Sequence, residues 1–239
     1  DGAGDFLVAG DGVSSDLAPG TGNFTLEFFL YADTVVTSDP GIISWSTTPA
    51  GQTSYVGAGF IAYNDSLQQL DIQLGTSGSS AAIDSGAGSV PQYKWNHIAI
   101  VRDTGNEFRV YVDGVLTRTD TSTLAGTDIT AKYMIIGKYY NNDNYVLNGN
   151  ISNLRFIKGT ALYTSNFTPP TAPLTDITNT KLLCCQSNTT GGVAAVSPNI
   201  TGSINTGTVW SDLVKGTLDT QYGNVNRAFP FNGASKSSI

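Results

Sequence analysis

The stretch from Trp95 to Gly114, WNHIAIVRDTGNEFRVYVDG, constrains the fold more than any other part of the chain. Side chains alternate across an extended strand, so Trp95, His97, Ala99 and Val101 fall on one face and Asn96, Ile98, Ile100 and Arg102 on the other. Both faces are largely apolar, which predicts a strand covered on two sides, in the middle of a sheet. A second run follows, with Phe108, Val110 and Val112 alternating with Arg109, Tyr111 and Asp113. Asp103-Thr104-Gly105-Asn106 supplies the turn between the runs, and Asp113-Gly114 is a second turn signal. The chain therefore contains an antiparallel hairpin whose first strand is built for burial.

Other β runs recur at roughly ten-residue intervals, the rhythm of a sandwich. They are expected at Phe6–Ala9, Asn23–Tyr31, Gly41–Ser46, Gly57–Tyr63, Gln69–Leu74, Ala81–Asp84, Tyr133–Lys138, Asn148–Lys158 and Lys181–Gln186. No stretch carries sustained helical periodicity. Gly159–Phe167 is expected to be irregular, with Leu162, Tyr163 and Phe167 packed inward. The run 168–173, TPPTAP, has three prolines, which withdraw backbone donors, so it is expected to lie over a sheet edge. Beyond Ser187 the pattern thins into Thr, Asn, Gly and Ser. The expected division is a domain over residues 1–186 and a smaller irregular or β segment over 187–239.

The 239 residues are enough for one large all-β domain or two small ones. A net charge of -7 and a pI near 4.4 argue against nucleic acid, whose affinity comes mainly from Lys and Arg neutralising phosphates. No run of about 18 apolar residues is present to span a membrane. Nothing at the start resembles a signal peptide, and the chain opens at Asp1 rather than Met, as a processed or trimmed chain would. Cys184 and Cys185 are neighbours, a spacing that strains a disulfide. They are expected to point to opposite faces of the last strand.

The phrases FTLEFFLYA, WNHIAIVR, FRVYVDG and LNGNISNLRFIKGTALYTSNFTPPTAPL followed by TNTKLLCCQS resemble laminin-G-like (concanavalin A-like) domains of marine bacteriophage virion proteins. The resemblance covers about residues 1–186. It implies an all-β, antiparallel two-sheet jelly-roll sandwich and a virion, tail-fibre or otherwise extracellular setting. It also implies contact with host surface glycans. Such domains open on a strand with Phe, Asp or Asn, and Gly. Asp1-Gly2-Ala3 looks like that motif without its Phe, and Phe231-Asn232-Gly233-Ala234 restores it at the other end, with Phe229 beside it among the candidate assembly residues. Two readings stay open here: a tandem array cut just past a repeat, or tails that complete a neighbour's sheet by strand addition, joining copies of the chain or other virion proteins.

Catalytic chemistry finds little support. A retaining glycosidase needs two carboxylates about 5 Å apart, yet Glu27 and Glu107 are the chain's two glutamates and neither has an acid two residues along its strand. His97 is the single imidazole and sits in the apolar strand, so a hydrolase triad lacks its parts. The expected protein is not an enzyme. The recognition candidate is the insert Tyr139, Tyr140, Asn142, Asp143, Asn144 and Tyr145, because aromatic faces cover the C–H surfaces of sugars while amides and carboxylates meet their hydroxyls. The same residues also suit a simple turn between two strands. No cofactor is expected; calcium is the lesser alternative, with Asp143 among its ligands, but no dense acidic loop supplies six or more oxygens. Two functions compete: adhesion to host surface carbohydrate, or a structural fibre, filament or decoration subunit assembled through its ends.

Overall fold

The computed structural model describes residues 6–33, 39–49, 56–76, 79–103, 105, 107–121, 124, 126–139 and 145–186, and the backbone of strand residues 200–203 and 229–231. The strands are β1 (Phe6–Ala9), β2 (Phe24–Ala32), β3 (Gly41–Ser46), β4 (Gly59–Asn64), β5 (Gln69–Thr76), β6 (Ser79–Asp84) and β7 (Trp95–Asp103). They continue as β8 (Glu107–Val112), β9 (Val115–Asp120), β10 (Tyr133–Ile136), β11 (Gly149–Lys158), β12 (Thr180–Cys184), β13 (Ile200–Ser203) and β14 (Phe229–Phe231). Two antiparallel sheets form the sandwich. Sheet I runs β13-β1-β10-β3-β4-β5-β6, and sheet II runs β12-β11-β2-β7-β8-β9 with β14 beside β11.

β7 lies between β2 and β8, as its two apolar faces require. Its Ile98 and Ile100 join Leu26 and Phe28 of β2 and Val110 of β8 in the core between the sheets, against Ile43, Trp45 and Ile61 of sheet I. Phe24 anchors this layer, edge-on to Trp45 and to Phe108 with centroids 6.2 Å apart in each case. Asp113 and Gly114 both take positive φ, which closes a type I′ turn from β8 into β9. β9 was not legible as a strand: VLTRTD is mostly exposed at the sheet's rim, so it lacks an apolar face.

Sheet II has no solvated outer face above its middle strands. Residues 160–177 form a strap across it, and Ala161, Tyr163 and Phe167 pack on Ala99, Val101 and Tyr111. At one end the Phe167 amide donates to Gly114 O at 2.9 Å; at the other, the Leu174 amide donates to Asn153 Oδ1 at 2.9 Å. The proline run lies between these anchors and so crosses the face of the sheet, not an edge. A proline has no amide to offer a ladder, but a strap held at its ends needs none there.

Beneath the strap is a buried charge pair. Glu27 Oε1 accepts from Arg155 Nε at 2.9 Å and Nη2 at 2.6 Å, and Oε2 accepts from the Tyr163 hydroxyl at 2.9 Å. Arg155 Nη1 donates to Thr175 O at 2.8 Å, so the pair holds the strap from both ends. His97, fully buried, places Nε2 3.4 Å from Glu27 Oε2, close in space but not aligned as a hydrogen bond. It sits between the rings of Phe29 and Phe167, a packed side chain as its position in the strand suggests. Burial pushes the Glu27 carboxyl up, but His97 and the Arg155 charge outweigh it and hold the group below its ordinary value.

One feature differs from what the sequence implied. Cys184 and Cys185 do not face opposite ways: both are buried in the central core, with Sγ atoms 3.7 Å apart. β12 ends at Cys184 and Cys185 takes φ of +59°, which breaks the alternation that would have separated them. Contact with Cys185 and burial push the Cys184 thiol up, keeping it a neutral core group. β13 pairs with β1, and β14 pairs with β11 through Gly149↔Phe231 and Ile151↔Phe229. The backbone of Phe229 and Phe231 thus lies beside β11 in sheet II. Asp1, Gly2, Asn232 and Gly233 lie outside the described residues.

The Glu27–Arg155 pair makes a stability prediction with a pH signature. Breaking a buried pair leaves an uncompensated charge, so Glu27→Gln is expected to cost about 3 kcal/mol at neutral pH. A carboxyl held below its ordinary value of 4.5 stabilises fully above that pH and loses the contribution as acid protonates it in the fold. Urea unfolding across pH should therefore show the wild-type and variant curves converging below that value; a constant gap would contradict the assignment.

Candidate functional site

With the strap over sheet II, the outer face of sheet I is the broad sheet surface left to meet a ligand. Register sets what it displays. Val8 pairs with Ile135, Ile135 with Ser44, Ser44 with Phe60, Phe60 with Gln73, and Gln73 with Ala82, so these six share one row across the sheet. The neighbouring row is Gly41, Ala62, Asp71 and Asp84. Val8, Phe60, Ala62 and Ile135 form a small apolar cluster of their own, joined by Phe6, Tyr133 and Tyr139. One part of this face is oily and the adjacent part carries carboxylates.

The residues Asp39, Phe60, Ala62, Asp71, Tyr139 and Tyr145 enclose a cavity of about 390 Å³ at this junction. A second, of about 340 Å³, adjoins it through Phe60 and Asp71 and runs over Gln73, Ile83 and Asp84. The size matches small-ligand sites, which are typically about 300–1,000 Å³. The Tyr139 ring lies 4.3 Å from that of Phe60 and 5.9 Å from that of Tyr145, centroid to centroid, so three aromatic rings line one side. Lys138, beside Tyr139 in sequence, turns its ammonium over the Phe6 ring at 4.5 Å.

Asp71 is fixed by two amides: Asn64 Nδ2 donates to Oδ2 at 3.0 Å and Gln69 Nε2 to Oδ1 at 2.7 Å. Asp39 sits at the end of the β2–β3 connection with φ of +55°. Although Asp39 is solvent-exposed, partial desolvation raises its pKa, and the negative charges of Asp71 and Asp65 raise it further. Asp84, in the second cavity, is 3.2 Å from Arg118 Nη2.

The base of the insert is held by Gly41. Gly41 N and Tyr139 N both donate to Tyr145 O, at 3.1 and 3.0 Å, and Val146 bridges to Gly41 and Lys138. A Cβ at Gly41 would collide with the backbone of Lys138 and Tyr139. Tyr139 and Tyr145, expected from the sequence, are thus brought together at the cavity, while Tyr140, Asn142, Asp143 and Asn144 lie outside the described residues. Asp39, Phe60, Ala62 and Asp71 were missed. Their alternation in β4 and β5 was visible, but which face would stay open depends on the strap covering the other sheet.

The chain's two glutamates are not among the residues that line the cavity. Glu27 is under the strap, and Glu107 pairs with Arg109 on β8. Among the described residues, no group of three or more His, Cys, Asp or Glu is arranged to hold a metal ion. No helix among them is long and apolar enough to cross a membrane.

Gly41→Ala is expected to lower stability by about 1–3 kcal/mol and to shift the near-ultraviolet tyrosine signal, since the insert must move to admit the methyl group. Gly126→Ala, where a Cβ meets open space, should stay within about 0.5 kcal/mol of the parent by denaturant unfolding. Equal behaviour of the two variants would contradict the close approach.

Comparison with known proteins agrees with this architecture. A family model described as the concanavalin A-like lectin/glucanases superfamily matches residues 1–162. No curated protein sequence matches the chain. Among solved structures, the CBM40 module of the Ruminococcus gnavus IT-sialidase, bound to α2,3 sialyllactose, is similar at a TM-score of 0.52 and 12% identity, over 67% of this chain and 89% of that one. The binding domain of botulinum neurotoxin serotype G is similar at 0.50 and 15%, over 66% of this chain and 38% of that one. A heptameric SAP-like pentraxin from Limulus polyphemus reaches 0.48 and 17%, over 68% and 73%. At these identities the likeness concerns the fold.

Proposed function

Since the chain belongs to the concanavalin A-like lectin/glucanases superfamily, we propose that the groove on the outer face of sheet I binds carbohydrate and that the protein is a non-catalytic adhesion module. The observation that carries this reading is the meeting of three aromatic rings, Phe60, Tyr139 and Tyr145, with the carboxylates of Asp39 and Asp71 in one cavity. Sugars present apolar C–H faces and polar hydroxyls at once. Rings cover the first, and fixed acceptors such as Asp71 take the second. Asp71 is already oriented by Asn64 and Gln69, so little order is lost when a hydroxyl binds there.

The CBM40 module of similar fold, bound to α2,3 sialyllactose, supports the idea that such a sandwich serves glycan recognition. The non-catalytic reading rests on Glu27 and Glu107 both being engaged with arginines away from the groove; the groove's own carboxylates, Asp39 and Asp71, are the pair a hydrolase would have to use instead. The setting we propose is the surface of a virion or another extracellular surface, on the resemblance of the FTLEFFLYA, WNHIAIVR and GTALYTSNFTPPTAP phrases to phage virion domains. There, weak single-site binding to host glycan would gain strength through many copies.

A glycan array followed by calorimetry on the best binder tests this. Tyr139→Ala and Tyr145→Ala are each expected to weaken binding about tenfold, the value of one lost ring contact, with unfolding midpoints near the parent's. Unchanged affinity in both would move the site elsewhere. Incubation of the bound glycan should release no reducing ends, and release would contradict the non-catalytic role.

A further inference from the structure

The groove's charges allow its ligand to be narrowed, on the premise that it binds carbohydrate at all. Two acidic side chains, Asp39 and Asp71, line the main cavity, and the described lining residues include no Lys or Arg. The adjoining cavity adds Asp84, whose partner Arg118 lies beside it on β9. Lys138, the nearest cation along the chain, faces the Phe6 ring at the far end of the apolar strip. The charges that act on Asp39 are those of Asp71 and Asp65, both negative. Among the described lining residues no cation balances the carboxylates, Asp71 being met by neutral amides, and they stand beside rings whose electron-rich faces attract cations.

We infer that the groove selects its sugar by charge, taking an amino sugar with a free, protonated amine over the N-acetylated form and rejecting a sialylated glycan. An ammonium placed among Asp39, Asp71 and the tyrosine rings relieves the repulsion between the two acids and gains from the rings. Acetylation removes that charge while leaving the ring and hydroxyls in place. A sialic acid carboxylate would instead be desolvated next to two like charges, which disfavours binding. This departs from the CBM40 module of similar fold, which is bound to α2,3 sialyllactose.

Asp39 also gives the preference a pH dependence. Its pKa is raised, and the groups facing it are Asp71, Asp65 and the two tyrosines. Binding of a cation favours the ionised form, so amino-sugar affinity should fall as acid protonates Asp39, above the ordinary carboxylate value of 3.8.

The test is calorimetry of the full chain with a glucosamine oligosaccharide, its N-acetylated counterpart of equal length, and α2,3 sialyllactose, at a pH that keeps the amine protonated. The expected result is an affinity ratio of about tenfold in favour of the free amine. Binding of sialyllactose should be weaker than that of either. Asp39→Asn and Asp71→Asn should each shrink the ratio between amine and acetamide, a readout that a general loss of folding would not produce. Equal or tighter binding of the acetylated or sialylated glycan overturns the charge selection and leaves the carbohydrate reading standing. Binding of none of these, together with a blank glycan array, overturns both.

Discussion

The buried Glu27–Arg155 pair determines which face of this sandwich is available for function. A two-sheet sandwich has two outer faces, and each is a possible binding surface. Glu27 lies on the outer side of β2, and Arg155 reaches it from β11 after a separation of 128 residues. Together they collect Tyr163 and the Thr175 carbonyl. That fastens residues 160–177 over sheet II, with Tyr163 stacked on Phe167 at 3.7 Å and the two rings set against Tyr111. Closing that face leaves the outer face of sheet I to carry the aromatic cavity.

A second buried cation does comparable work inside the core. Arg102 is fully buried on the inner side of β7 and lies 4.9 Å above the Phe24 ring. It donates to Gly22 O at 2.9 Å, Thr127 O at 2.6 Å and Gly20 O at 2.6 Å, joining two connecting segments at one end of the sandwich. Burial lowers its pKa to about 10, with Asp128 opposing the shift, so it stays charged at neutral pH. Buried charges are costly unless satisfied. Here three carbonyls and a ring satisfy one, and a carboxylate satisfies the other. Both arginines therefore specify where loops go more than they add to net stability.

The strands were readable because alternation depends on local sequence. β1 and β3 fall where Phe6–Ala9 and Gly41–Ser46 predict them, and β7 extends the Trp95–Arg102 run by one residue. Edges were less readable: β9 is largely exposed, β13 lies in composition too uniform to mark a strand, and Phe229–Phe231 stands out only through the resemblance. Cys185 escaped because a left-handed residue just beyond a strand end leaves no trace in an alternating pattern. The site was half legible. Tyr139 and Tyr145 stand out as an aromatic pair, whereas Phe60 and Asp71 look like any outward residues until the covered face is known. Glu27 seemed an isolated acid, since its partner lies far along the chain.

Amide chemical-shift mapping during a titration with a binding oligosaccharide locates the ligand on the sandwich. Perturbations are expected to concentrate at Phe60–Ala62, Asp71–Gln73, Tyr139 and Tyr145, with Ala99 and Tyr111 beneath the strap and Tyr163 within it unmoved. Perturbations clustered at the strap or at the β8–β9 turn, with Phe60 and Asp71 silent, would contradict it.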